Sequence, residues 1–311
     1  MKYKFVTADV FTDVKFGGNQ LAVVLDARGL TSEQMQSIAR EFNYSESVFV
    51  LPATDPSCTR TLRIFTPSDE LPFAGHPTVG AAHVLAATGE IKLTGDETKI
   101  VFEEGIGHVP VTIRSTKGVP TFAQLSVAKL PEIGPPPPGR SALAELLSLE
   151  ANDIGGGSNT PQAVSCGLPF LFVPVKDRAA VRRARVRMDI WDSALKQYFA
   201  PQVMVFARDP ELPTSHIRAR VFVPGLAVPE DPATGSAAAA LGGYLGAREA
   251  QTDGTLRWVV EQGFEMGRPS ILEIEVDKAA GEITAIRVGG ASVLVMEGSI
   301  DAGDVVKSSA T

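Results

Sequence analysis

Residues 65–89 are FTPSDELPFAGHPTVGAAHVLAATG, and this segment organises the rest of the chain. It ends a strand-like run, Thr61–Phe65, crosses a polar turn and continues into almost exclusively small or apolar residues. Gly75-His76-Pro77 marks the predicted helix start, with Pro77 at the first helical position, where a missing N–H is harmless. A helix that is apolar on all sides is expected to be buried. The unpaired N–H groups of its first turn, at the positive end of the helix dipole, then favour an anion.

The second half of the chain contains a partial copy of this segment. Residues 222–246 are FVPGLAVPEDPATGSAAAALGGYLG, which also lead into a helix rich in glycine and alanine. Four positions match at a constant offset of 157: Phe65 with Phe222, Pro67 with Pro224, Leu71 with Val228, and Pro72 with Pro229. Coincidence between two apolar segments is the alternative, but the ungapped match favours duplication. We therefore predict two similar domains, each with a small-residue helix in its core.

The composition excludes several classes of protein. A chain of 311 residues exceeds what a single core usually holds, so two domains are the default. The net charge of −7 argues against binding to nucleic acid or to anionic membranes, and the longest apolar runs have only the length of a strand. No GxGxxG or P-loop pattern joins a strand to a helix, so no nucleotide cofactor is expected. The chain starts directly with a strand pattern, which predicts a cytoplasmic protein without a secretory signal.

The order of strand and helix patterns predicts an α+β fold with mixed or antiparallel sheets. Thr31 starts a helix with Gln34 three residues later, as in a capping box, and Ser47–Leu51 follows as a strand. The proline run in Pro131–Gly139 marks the predicted boundary between domains 1–128 and 129–311, and the last strand is allowed to return to the first domain. In the second half, Ser141 and Asp177 are predicted helix caps, and 189–199 is a predicted helix.

Three side chains are candidates for acid–base chemistry. Glu46 leads from a helix end into an apolar strand, and burial would raise the pKa of its carboxyl towards neutrality, although a loop glutamate alone is usually a surface residue. His76 lies at a helix start, where an imidazole can exchange a proton or simply cap and pack. Asp231 precedes the second small-residue helix, where an N-cap role is the alternative. His83, inside the first helix, is predicted to be a core residue.

The repeat predicts how these groups come together. Asp231 and His76 occupy nearly matching places in the two halves, so two facing halves would direct both helix starts at one cleft. Ser236 and the backbone amides near Gly75 and Gly235 would then hold a substrate carboxylate. The two cysteines, Cys58 and Cys166, lie at neither helix start and lack metal-site spacing, so both are predicted to be inert thiols in a reducing compartment.

The motifs together resemble the PhzF-type phenazine-biosynthesis family. The segments that match are Gly18-Asn19, Asn43–Ser47, Phe65–Pro67 with Glu70–Pro77, Glu230–Ala237 and Gly267–Ser270. The resemblance implies the fold of diaminopimelate epimerase, with two similar domains that each wrap a mixed sheet around a central helix. It also implies a cofactor-independent homodimeric isomerase. The activity named in that family moves a proton between carbons of trans-2,3-dihydro-3-hydroxyanthranilate.

The same resemblance implies roles for individual residues. Glu46 is the implied proton shuttle, while His76 and Asp231 are the other implied catalytic groups, which also orient the substrate. The implied substrate-binding residues are Asn19, Gly75, Gly235 and Ser236, and no metal ligand is implied. Related epimerases use two cysteines at the helix starts, which this sequence lacks, so a one-base proton shift is favoured over two-cysteine racemisation. A racemase or epimerase that pairs Glu46 with His76, and a non-catalytic binding protein, remain as alternatives.

Overall fold

The computed structural model describes residues 1–155, 159–226 and 228–303. Its strands are β1 (Lys2–Val10), β2 (Asn19–Val24), β3 (Glu46–Leu51), β4 (Arg60–Phe65), β5 (Glu70–Leu71), β6 (Glu97–Glu104), β7 (Gly107–Thr116), β8 (Val119–Ser126), β9 (Glu132–Ile133), β10 (Gln162–Ser165), β11 (Pro169–Pro174), β12 (Gln202–Ala207), β13 (Ile217–Val223), β14 (Val228–Asp231), β15 (Gly254–Gln262), β16 (Ser270–Ala279), β17 (Glu282–Gly290) and β18 (Ser292–Asp301). Its α-helices are α1 (Ser32–Phe42), α2 (Gly75–Ala87), α3 (Arg140–Leu146), α4 (Arg178–Arg183), α5 (Met188–Ala194) and α6 (Gly235–Gly246). None of these helices is long and apolar enough to cross a bilayer.

The chain divides into two compact units. The first consists of residues 1–16, 20–125 and 291–311, and the second of residues 17–19 and 126–290. The last strand, β18, therefore belongs to the unit that contains the first strand. It pairs antiparallel with β1 from Lys2–Asp301 to Val10–Ser292. The short segment 17–19 belongs to the second unit although the residues on both sides of it belong to the first.

In the first unit a mixed sheet surrounds α2. Strands β2 and β3 pair in parallel, β3 and β4 antiparallel, β4 and β6 in parallel, and β6, β7 and β8 antiparallel in turn. Every residue of α2 from Gly75 to Ala86 is buried, as expected for a helix that is apolar on all sides. Gly80 lets this helix approach the sheet, because a Cβ there would lie 2.6 Å from Cγ2 of Val10.

Helix α1 packs elsewhere on the first unit and confirms its predicted cap. The Thr31 side chain accepts from the backbone of Gln34, and the Gln34 side chain accepts from the backbone of Thr31. Met35, Ile38 and Ala39 are buried with strand residues in one apolar cluster. This helix forms the crossover that the parallel pair β2 and β3 requires.

The second unit repeats the plan of the first. Strands β11 and β12 pair in parallel, β12 and β13 antiparallel, β13 and β15 in parallel, and β15, β16 and β17 antiparallel in turn. Helix α6 is buried except at Ser236. Three of its glycines face side chains of this unit, and a Cβ on Gly242 would lie 2.9 Å from Ile274. The short helices α3, α4 and α5 pack on the sheet through a separate apolar cluster. The α+β fold with two similar domains is confirmed.

The register of the strands corrects one part of the predicted repeat. Leu71 pairs with Ile64, and Asp231 pairs with Val221, the residue that matches Ile64 in the first copy. The equivalent dipeptides are therefore Leu71-Pro72 and Asp231-Pro232, and the offset changes from 157 to 160 within the turn. Consequently Ser236, rather than Asp231, matches His76: each is the second residue of its helix. Three extra residues in the second turn explain why Pro229 resembled the counterpart of Pro72.

Several predicted helix boundaries are wrong. Pro77 is the third helical residue rather than the first, and the structure tolerates it because N–H groups throughout the first turn lack intrahelical partners. The cap of α3 is Gly139 rather than Ser141, and α5 ends at Ala194 rather than near 199. The prediction for Asp177 is confirmed, because its carboxylate accepts from the backbone of Ala180.

Candidate active site

Glu46 is the first residue of a strand that follows the end of α1 after a short turn. Asn43 ends α1 in the left-handed conformation (φ 53°), a geometry that asparagine tolerates better than most residues. Glu46 is then the first residue of β3 and pairs with Leu21 of the parallel strand β2. Its side chain is 17% exposed, which agrees with the predicted partial burial.

His76 meets Glu46 at the start of α2. The distance between Nδ1 of His76 and Oε2 of Glu46 is 3.5 Å. Burial lowers the pKa of His76 to about 3, against a weaker opposing effect of a hydrogen bond to the backbone of Gln20. The imidazole is therefore neutral at physiological pH, so the contact joins a neutral ring to a carboxyl group rather than two ions.

Asp231 belongs to a separate cluster in the second unit. Oδ1 of Asp231 accepts from Nδ2 of Asn19 at 2.9 Å, and Oδ2 accepts from the Thr234 hydroxyl at 2.5 Å. Asn19 also donates to the carbonyl of Ala233 at 3.0 Å. The fold thus brings Asn19 and Asp231, which are 212 positions apart, into contact. The N-cap alternative for Asp231 is wrong, because the N-cap of α6 is Thr234.

Gln262 and Arg220 hold this cluster in place. The Gln262 amide is fully buried, donates to the Asp231 carbonyl at 2.7 Å and to the Thr234 hydroxyl at 3.0 Å, and accepts from the Thr234 N–H. Arg220 forms a two-pronged ion pair with Glu230, the residue before Asp231, at 2.7 and 2.8 Å. Two buried side chains therefore fix the backbone that presents Asp231.

The two small-residue helices begin in the same way. Gly75 and Gly235 are the first residues of α2 and α6, and neither N-cap residue, Ala74 or Thr234, accepts a side-chain hydrogen bond from its helix. Ser236, the second residue of α6, is half-buried. Helix starts that lack a side-chain cap keep their N–H groups available to an anionic ligand.

The remaining candidates of the sequence lie apart from these clusters. His83 is buried inside α2, where burial lowers its pKa to about 4, in agreement with a core role. Burial raises the pKa of the Cys58 thiol, and it raises that of Cys166 to about 12, so neither cysteine is a poised thiolate. Within the described residues no cluster of three or more His, Cys, Asp or Glu side chains is arranged to hold a metal ion.

Sequence reasoning missed two side chains that support the helix starts. Oε1 of Glu104, at the end of β6, lies 2.8 Å from the Thr78 hydroxyl of α2, while Gln262 ends β15 beside α6. The signal was present as a second repeat, VFEEG at 101–105 and VVEQG at 259–263. The glycine of each copy allows a close approach: a Cβ on Gly105 would lie 2.7 Å from Cα of Pro72, and one on Gly263 would lie 2.5 Å from the Pro232 carbonyl oxygen.

Comparison with known proteins identifies the family. The sequence profile of PhzC-PhzF, described as phenazine biosynthesis-like protein, matches residues 8–298. The chain belongs to the PhzC-PhzF family. The resemblance inferred from the motifs is thereby confirmed.

Relatives of this PhzC-PhzF protein are named as isomerases. An uncharacterized isomerase of Mesorhizobium japonicum is 39% identical over 301 residues, which cover 95% of this chain and 98% of the relative. The trans-2,3-dihydro-3-hydroxyanthranilate isomerase of Pseudomonas aeruginosa is 32% identical over 300 residues, with 95% and 98% covered. A PhzF-family crystal structure from Bacillus anthracis superimposes with a TM-score of 0.87 at 27% identity, covering 96% of this chain and 99% of that one. The PhzC-PhzF protein is therefore an enzyme of the isomerase class.

Proposed function

We propose that this enzyme shifts a proton between two carbons of a small carboxylate-bearing substrate and that Glu46 carries the proton. The observation that supports this most directly is the 3.5 Å contact between Glu46 and a neutral, buried His76. A partly buried carboxylate can act as base and then as acid in one turnover. The helix starts, Gly75–Pro77 and Thr234–Ser236, contain no cysteine, which argues against two-cysteine inversion.

The proposed step is balanced without an added reactant. Glu46 removes a proton from a carbon, and the electron pair of that C–H bond moves into the neighbouring unsaturated system. The protonated carboxyl group then returns the proton to a different carbon, where the electron pair forms the new C–H bond. Product and substrate therefore have the same composition, and Glu46 ends in its starting state.

We assign substrate binding to the second cluster and to the helix starts. Asn19, Asp231 and Ser236 provide polar groups for a hydroxyl or amino substituent, and the backbone N–H groups at Gly75 and Gly235 suit a carboxylate. The same N–H groups stabilise the negative charge that develops when a proton leaves carbon. Because Asp231 accepts from Asn19 and Thr234, we expect Asp231→Asn to weaken substrate binding and orientation together.

The decisive experiment measures solvent deuterium exchange. With trans-2,3-dihydro-3-hydroxyanthranilate as the probe substrate, the wild-type enzyme in D2O is expected to place deuterium on one carbon of the product. Glu46→Gln is expected to lower this incorporation by at least about 10³-fold, because the amide cannot accept the proton. The matched control is Glu41→Gln, which changes an exposed glutamate on the neighbouring helix α1 and should leave the rate unchanged.

The outcomes separate the proposal from its alternatives. Exchange at the wild-type rate in Glu46→Gln would show that Glu46 is not the shuttle. Deuterium that returns to the original carbon with loss of optical rotation would show an epimerase instead. Absence of turnover and of binding for the wild-type enzyme would exclude the probe as a substrate analogue and contradict the proposed substrate class.

A further inference from the structure

A buried carboxyl group contacts the first turn of α2. Glu104, the last residue of β6, is 6% exposed and contacts the Thr78 hydroxyl through Oε1 at 2.8 Å. Its second oxygen, Oε2, is buried and has no hydrogen-bond partner in the part of the chain that the structure describes. Thr78 is itself fully buried and also lies 2.8 Å from the carbonyl oxygen of Ala74, the N-cap of α2.

A count of protons defines the state of this group. The hydroxyl oxygen of Thr78 lies 2.8 Å from both Oε1 of Glu104 and the Ala74 carbonyl oxygen. Two full hydrogen bonds need two protons, whereas an ionised Glu104 would have to share the single threonine proton with Ala74. The threonine hydroxyl supplies one, and a carbonyl supplies none. A full hydrogen bond in each contact therefore requires a proton on Glu104, which then donates to Thr78 while Thr78 donates to Ala74.

The second unit contains the neutral counterpart of Glu104. Gln262 ends β15 as Glu104 ends β6, and each is followed by a glycine against the proline that precedes its helix. Gln262 donates to the Thr234 hydroxyl and to the Asp231 carbonyl at the start of α6. The same position is thus filled by a permanent neutral donor in one repeat and by an ionisable side chain in the other.

We propose that Glu104 carries a proton in the folded enzyme and acts as a positioning residue, holding the first turn of α2, and hence His76, in place through Thr78 and Ala74. This rests on the proposed function, because His76 acts here as the partner of Glu46. Ionisation of Glu104 would break the donor chain and place a negative charge beneath the turn that presents His76. Alkaline conditions therefore ionise Glu104 and release the first turn of α2 from this hydrogen-bond chain.

Burial supports the assignment, since it raises the pKa of Glu104 to about 8, and the Thr78 contact opposes this only weakly. Titratable and charged groups lie on every element around Glu104: His76 and His83 on α2, Arg60 and Arg63 on β4, Glu70 on β5, Glu97, Lys99 and Glu103 on β6, and His108 and Arg114 on β7. Burial keeps both helix histidines neutral, and Glu70 is paired with Arg63 at 2.6 Å. Hydrogen bonds from Thr54 and Thr61 hold the pKa of Glu103 at about 2. Among the groups with a resolved shift, Glu104 alone changes charge near pH 8.

The first test measures stability and does not depend on any substrate. Between about pH 4.5 and about pH 8 the folded enzyme holds a proton that the unfolded chain has released, so the unfolding equilibrium constant rises about tenfold per pH unit relative to Glu104→Gln. The control, Glu103→Gln, changes the adjacent, partly exposed carboxylate, which is ionised throughout this range, and should retain the wild-type slope. Equal slopes for wild type and Glu104→Gln would overturn the proposal.

The second test measures the pH profile of deuterium exchange with the same probe substrate. Wild type is expected to lose activity above about pH 8, whereas Glu104→Gln keeps a donor, stays within about tenfold of wild type and lacks the alkaline loss. Glu104→Leu removes the donor and should lower the rate at every pH. An alkaline loss that persists in Glu104→Gln would contradict the positioning role while leaving Glu46 as the shuttle. Conversely, a failure of the Glu46 experiment leaves the stability test of Glu104 intact.

Discussion

At the scale of single residues, burial sets the charge of each important group. His76 and His83 lose most of their solvation inside the first unit, which holds their pKa values at about 3 and about 4. The same effect raises the pKa of Glu104. Desolvation favours the neutral form in all three cases. The region around α2 is thus built from ionisable side chains that are kept uncharged.

This neutrality predicts a loss of stability in acid. Below about pH 6.5 the unfolded chain binds protons at His76 and His83. In the folded chain His76 is protonated only near pH 3 and His83 only near pH 4. The contribution of the two histidines to stability is therefore fully present above about pH 6.5 and falls by about 1.4 kcal/mol per pH unit for each histidine below it. Urea unfolding at several pH values between about 4.5 and 6.5 should show a slope that is lower in His83→Gln than in wild type by about 1.4 kcal/mol per pH unit. An unchanged slope in His83→Gln would contradict the prediction.

At the scale of elements, two glycines at strand ends allow the backbone to approach the turn before each small-residue helix closely. Gly105 follows β6 and Gly263 follows β15, each against the proline before a small-residue helix. Gly263 also has a positive φ of 76°, a conformation that other residues adopt only with strain. At both positions the backbone after the strand therefore lies in close contact with the turn that leads into a small-residue helix.

The contact at Gly105 predicts a specific defect. In Gly105→Ala the new Cβ would lie 2.7 Å from Cα and 3.1 Å from the carbonyl oxygen of Pro72, and backbone atoms cannot move aside as a side-chain end can. We expect a loss of about 1–3 kcal/mol in the free energy of unfolding, with displacement of the turn that leads to His76. Exchange activity should fall about tenfold or more. Gly139→Ala, where no atom lies within 4 Å of the new Cβ, should lose about 1 kcal/mol as an N-cap change and keep full activity.

Features that depend on neighbouring residues can be predicted from the sequence, whereas features that depend on the pairing register of distant strands cannot. The capping box of Thr31 and Gln34, the burial of α2 and the pairing of Glu46 with His76 all follow from neighbouring residues or from the motifs. The change of offset between Pro72 and Pro232 does not, because three added turn residues leave the proline pattern superficially intact. Glu104 likewise resembles the polar end of an alternating strand until pairing shows that its side chain faces α2.

At the scale of the whole molecule, the first unit is completed by the last strand. The pairing of β1 with β18 joins residues separated by almost the entire chain. Without β18, the backbone groups of β1 on that side would lack partners, which exposes a strand edge. The second unit, by contrast, is almost entirely contained in residues 126–290.

Truncation tests this dependence. A chain that ends at Gly290 should lose several kcal/mol of stability, aggregate through the exposed edge of β1 and lose activity, because the unit that contains Glu46 and His76 is left open. A chain that ends at Gly303 keeps all of β18 and serves as the control. Light scattering and thermal unfolding would report the difference. A Gly290 truncation that unfolds at the temperature of the control would show that β18 is dispensable.

The pairing of β1 with β18 also has a consequence for biosynthesis. The ribosome makes β1 before the second unit and β18 after it, so the first unit cannot complete its sheet until residues 126–290 have been synthesised. Assembly is therefore expected to run against the direction of synthesis, with the later-encoded unit maturing first. During that interval a nascent β1 would be a natural client for a chaperone that shields unpaired strands.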